Sequence, residues 1–134
     1  MGVTLLLAGA SPRAGPEHLL HDVPWFGLLF ESMVVRDLRV YAQAMRARVY
    51  HYRDNTGLEV GAIVDAGPRR WAAFEIKLGL GRIEDAARTL LTFAERVDTA
   101  RCGNPAALAV VTSTGFGYER PDGVVVVPVG VLGP

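Results

Sequence analysis

Apolar residues Phe26, Leu29, Phe30, Met33, Val34, Leu38, Tyr41 and Met45 recur one, three or four apart, with Arg36, Asp37, Arg39 and Gln43 between them. That spacing predicts one long amphipathic helix. Pro24 stands near its start, where a missing N–H costs nothing. The pattern then changes. Arg48–Arg53 alternates in part and is rich in Val and Tyr, which predicts a strand. Asp54-Asn55-Thr56-Gly57 predicts a turn that returns the chain as a hairpin into a second strand over residues 58–66. Gly67-Pro68 breaks it, and residues 70–78 form a third strand with Trp71, Phe74 and Ile76 as apolar members. After Gly79 and Gly81, helical spacing returns through Ile83, Ala86, Ala87, Leu90, Leu91 and Ala94, predicting a helix over residues 83–97. Ala107–Thr112 is a continuous apolar run, as expected of a strand buried on both faces. Residues 113–117 are a Gly-rich loop, and residues 124–127 a last strand closed by Pro128.

The order α-β-β-β-α-β-β predicts an α/β fold, a mixed sheet flanked by helices. The helix between the third and fourth strands allows a right-handed crossover and a parallel pair. A length of 134 residues with half of them apolar suits one domain, expected over residues 18–134. Residues 1–17 read as a stub and linker left from an upstream region. Their apolar run, residues 3–8, lacks a basic flank and is far shorter than the roughly 20 residues of a membrane span. No membrane association is expected; an apolar stub favours packing against a partner, either another protein or a second copy of this chain. Formal net charge is zero, so no global basic field draws the protein to nucleic acid. Lys77 is the single lysine; the other basic residues are Arg, whose forks suit phosphate oxygens in a local patch. Cys102 is the only cysteine and excludes an internal disulfide, which fits a reducing cytoplasm. No Gly-x-x-x-x-Gly-Lys-Ser/Thr loop occurs, so no bound nucleotide is expected.

Chemistry concentrates on three successive elements. Residues two apart on a strand share a face, so Glu75 and Lys77 project together while Phe74 and Ile76 go to the other side. Such a couple on an apolar strand is either a structural ion pair or a working one. Glu59 and position 61 share a face of the neighbouring strand, and Glu31 on the first helix can complete an acidic pocket. Two or three carboxylates, Glu31, Glu59 and Glu75, would suit a hard cation such as Mg²⁺ or Mn²⁺, with Lys77 beside it to orient water or stabilise charge on a phosphate. Arg53 would either hold a phosphate or anchor the turn through Asp54 or Glu59. His18, His21 and His51 are scattered and read as surface histidines, with a metal role for the first pair the alternative. Trp71 reads as core, and Ser113-Thr114-Gly115 as a loop without the lysine of a phosphate site.

Gly27-Leu-Leu-Phe-Glu31, Tyr52-Arg53, Gly57-Leu-Glu-Val60 and Phe74-Glu-Ile-Lys77 occur in the order seen in one family. The chain resembles the domain of unknown function that closes many bacterial and archaeal AAA+ ATPases, itself similar to the PD-(D/E)XK nucleases and Holliday-junction resolvases. The ending, Thr114-Gly-Phe-Gly-Tyr-Glu-Arg-Pro-Asp-Gly123, looks like its actinobacterial branch. The resemblance implies a restriction-endonuclease-like sheet and a metal site on Glu31, Glu59 and Glu75 with Lys77. The family usually reads Glu-Val-Asp where this chain reads Glu59-Val60-Gly61, so the resemblance also implies weakened metal binding. Asp65 shares the alternation phase but lies about 13 Å along the strand. The expected function is a non-catalytic module that binds DNA, RNA, an ATPase chain or another protein. The alternative is a weakly active Mg²⁺-dependent nuclease or phosphodiesterase.

Overall fold

A computed structural model describes residues 23–131 of the chain. The stub expected over residues 1–17, and with it His18 and His21, lies outside the described residues. Helix α1, Val23–Ala44, ends where Arg46 takes a left-handed backbone, φ +57°, and the Ala47 N–H closes onto Ala42 O at 2.7 Å. Strands β1 (Arg48–Arg53), β2 (Glu59–Asp65) and β3 (Trp71–Lys77) follow as an antiparallel meander. A single 3₁₀ turn, Leu80–Arg82, leads into α2, Ile83–Arg96, with Glu84 and Asp85 in the first turn, where acids suit the helix dipole. A four-residue helix α3, Thr99–Cys102, is capped by Asp98, whose carboxylate accepts the Ala100 N–H at 3.2 Å. Then come β4 (Ala107–Thr112), β5 (Tyr118–Glu119) and β6 (Val125–Pro128).

The strands form one sheet of six in the order β1-β2-β3-β4-β6-β5. β4 pairs parallel with both β3 and β6, while β5 pairs antiparallel with β6. The α2 segment is therefore the crossover that joins the parallel pair β3 and β4. β5 and α3 escape a periodicity reading because two residues and four residues are too few to display a period.

Alternation sorts the strands onto two cores. Trp71, Ala73, Val110 and Val126 pack with Ala86, Leu90 and Phe93 of α2 on one face. Phe74, Ile76 and Val111 pack with Phe30, Val34 and Leu38 of α1 on the other. β4 has apolar residues on both sides, which is why its sequence is a run rather than an alternation. The architecture is α/β, a mixed open sheet with a helix on each face. Among the described residues, no helix is long and apolar enough to cross a membrane.

Candidate functional site

The site begins where β2 leaves the ladder. Its pairing with β3 runs from Asp65↔Trp71 to Ala62↔Phe74. Beyond that point the Gly61 N–H donates to the Glu75 carboxylate, at 2.7 Å from Oε1, rather than to a strand carbonyl. On its other side β2 carries an irregularity: Tyr50 pairs with Ile63 but Tyr52 pairs with Val60. His51 thus faces two residues, Gly61 and Ala62, a bulge of the kind that re-aims side chains. Its effect is visible in the packing, since Val60 enters the α2 core and Ala62 the α1 core.

Glu75 is only 8% exposed, and a carboxylate so buried requires partners. Gly61 supplies one and the Lys77 ammonium another, its Nζ 3.6 Å from Glu75 Oε2. Glu31 arrives from α1. A Cβ at Gly61 would lie 3.6 Å from Glu31 Oε1, 3.7 Å from Glu75 Oε1 and 3.4 Å from Phe74 O. Both carboxylates therefore flank the one place in the strand that has no side chain. Glu59 is half exposed at the rim, with His51 Nε2 at 3.4 Å and Arg53 Nε at 4.0 Å from its Oε2. Together Glu31, His51, Glu59, Gly61, Glu75 and Lys77, with Thr89 from α2, line a pocket of about 270 Å³.

Burial raises the pKa of Glu31 above the ordinary glutamate value, against the pull of Lys77 and His51 and with Glu59 adding to the rise. Burial likewise raises Glu75, opposed by the Gly61 N–H and by Lys77, with the Glu31 charge adding to it. The Glu31 charge thus disfavours ionisation of Glu75, while the Lys77 ammonium pulls both acids the other way.

The four expected site residues on α1, β2 and β3, namely Glu31, Glu59, Glu75 and Lys77, thus border one pocket. Arg53 reaches out from β1 with its side chain 76% exposed and meets Glu59. His51 is exposed, as expected of a surface histidine, and also lines the pocket, where the bulge sets it opposite Gly61 and Ala62. Asp65 lies at the other end of β2, where it accepts the Gly67 N–H. Trp71 is buried and donates from Nε1 to Gly103 O at 2.9 Å. The Ser113 hydroxyl donates to Leu78 O, tying the loop after β4 to the end of β3.

Three carboxylates, Glu31, Glu59 and Glu75, border the pocket together with one ammonium, Lys77. Among the described residues no group of three or more His, Cys, Asp or Glu side chains is disposed to hold a metal ion. Glu59 is engaged at the rim, and Lys77 already brings positive charge to Glu75.

Residues 26–132 match the model of a protein family described as Domain of unknown function (DUF4143). No curated protein and no solved structure matches the chain.

Proposed function

The chain belongs to the DUF4143 family, and from that premise we propose that it is a non-catalytic, nuclease-like binding module whose former metal pocket has become self-contained. The observation that carries this reading is Gly61, bare between the carboxylates of Glu31 and Glu75. The Gly61 N–H and Lys77 satisfy Glu75 from within the protein, which gives the pocket a structural role without a metal. A nuclease-like ancestry is supported by the Glu59, Glu75 and Lys77 triplet on adjoining strands. It makes an AAA+ ATPase, encoded upstream or as a separate chain, the natural partner. Zero net charge and an acidic pocket favour a protein partner over DNA or RNA, because phosphates would meet three carboxylates against the single ammonium of Lys77.

The test is a nicking and single-strand cleavage assay in Mg²⁺ and in Mn²⁺, run on the native protein and on Lys77→Ala. Background cleavage, equal in the two, is the expected result. Cleavage that the substitution abolishes would replace this reading with a weakly active metal-dependent phosphodiesterase.

A further inference from the structure

The opposite ends of β2 and β3 border a second and larger cleft, of about 540 Å³. Its floor is apolar: Ile63 from β2, Trp71 from β3, and Phe93 and Val97 from the end of α2. Phe93 stands edge-on to Trp71, ring centroids 5.7 Å apart and planes at 87°, so the two rings brace each other.

One wall is built in advance. The Trp71 indole N–H donates to Gly103 O at 2.9 Å, and the Arg69 guanidinium donates from Nη1 to Ala100 O at 2.8 Å. Arg69 holds a left-handed backbone, φ +61°, which a long side chain seldom adopts. Gly103 packs so closely on it that a Cβ there would lie 3.0 Å from Arg69 Cβ. These contacts pin α3 to the β2–β3 turn and fix one wall of a cleft that opens broadly to solvent.

The rim is charged with an excess of one sign. Arg69 and Arg101 border the cleft together with Asp65. Asp65 accepts the Gly67 N–H at 3.0 Å. Neither arginine forms an ion pair among the described residues. Arg101 therefore retains a full fork of donors beside an aromatic floor.

We propose that this cleft binds a small amphipathic anion, a flat apolar ring system seated on Ile63, Trp71, Phe93 and Val97 with its carboxylate or comparable acid on the Arg101 guanidinium. The volume lies within the roughly 300–1,000 Å³ of small-molecule sites and admits a two-ring ligand. The assignment is independent of the carboxylate pocket at the other end of the strands.

The test uses the intact protein and a fluorescent aromatic sulfonate, anilinonaphthalene sulfonate, as reporter. Saturable one-to-one binding is expected, displaced by naphthoate and about tenfold less well by the neutral naphthyl methanol. Arg101→Glu, at an exposed position, should leave thermal unfolding unchanged and weaken naphthoate by at least roughly tenfold. Val97→Trp, which fills the floor, should remove the reporter signal while cooperative unfolding persists, excluding a partly unfolded, dye-binding state. Equal displacement by the acid and the alcohol overturns the proposal. So does native-strength naphthoate binding to Arg101→Glu, a result that stands whether or not Val97→Trp folds.

Discussion

An aspartate at position 61 would start from a Cβ in ordinary contact with its surroundings, and Gly61 is not among the residues of positive φ. Neither the Cβ contacts nor backbone strain opposes the change, and electrostatics weighs most. A third carboxylate would join two whose ionisation burial already disfavours. Gly61→Asp is therefore expected to melt lower than the native protein in chelator and to rise on adding Mn²⁺. At a hundredfold excess of metal over Kd the gain approaches about 2.7 kcal/mol. Scanning fluorimetry with and without MnCl₂ checks this, and a variant whose midpoint ignores the metal would contradict the placement of residue 61.

Glu31 yields a pH prediction of definite sign. Its folded pKa lies above the unfolded one, so the folded state holds the proton more tightly. Stability then falls as pH rises from the ordinary glutamate value through the raised one. Glu31→Gln should match the native protein below that window and exceed it in urea midpoint at neutral pH. Equal midpoints at neutral pH would mean that the Lys77 ammonium fully offsets the burial. Of this pocket, Glu75 and Lys77 were legible in the sequence because two-residue spacing on a strand fixes a shared face. His51 was not, because its place follows from a bulge that only the paired strands reveal.

At the scale of elements, the β1–β2 hairpin is organised by Asp54. Its Oδ1 accepts the backbone N–H of Thr56 at 2.9 Å and of Leu58 at 3.2 Å, and the Thr56 hydroxyl at 2.6 Å. Its Oδ2 accepts the Tyr52 hydroxyl at 3.0 Å and Arg96 Nη1 at 2.8 Å, and that last bond ties the turn to the end of α2. The hydrogen bond from the Thr56 hydroxyl leads the causes that hold the Asp54 carboxyl far below the usual carboxylate range, outweighing what burial there is. A lowered folded pKa stabilises above the unfolded value and is lost as pH falls towards the folded one. Asp54→Asn should lower the urea midpoint at neutral pH and flatten the acid side of the stability curve, with the two proteins converging in strong acid. An unchanged acid limb would place the acid sensitivity elsewhere. The turn itself was readable from Asp-Asn-Thr-Gly. Its tether was not, since Arg96 lies on a different element and local spacing says nothing about it.

Across the whole molecule, α1 and α2 bury opposite faces of one sheet, and β4 contributes to both cores through adjacent residues Val110 and Val111. The helical periods and the unbroken apolar run of β4 made this layering legible before any coordinates; the order of the strands beyond β4 was not, because the two residues of β5 carry no pattern. Shared strands imply shared stability: loosening one core should unzip the other instead of leaving a half-folded domain. Leu90 tests this, being fully buried in the α2 core. Leu90→Ala removes apolar contact and leaves a cavity, at a cost of about 2–5 kcal/mol. Val40, 59% exposed on α1, is the control, and Val40→Ala should change stability by less than about 0.5 kcal/mol. Urea unfolding followed by far-UV circular dichroism and by tryptophan fluorescence should give one coincident transition for each variant, shifted strongly only for Leu90→Ala. If the two probes separated, the faces of the sheet would be unfolding independently, and the carboxylate pocket, which draws Glu31 from α1 and Thr89 from α2, would lose its shape before the sheet did.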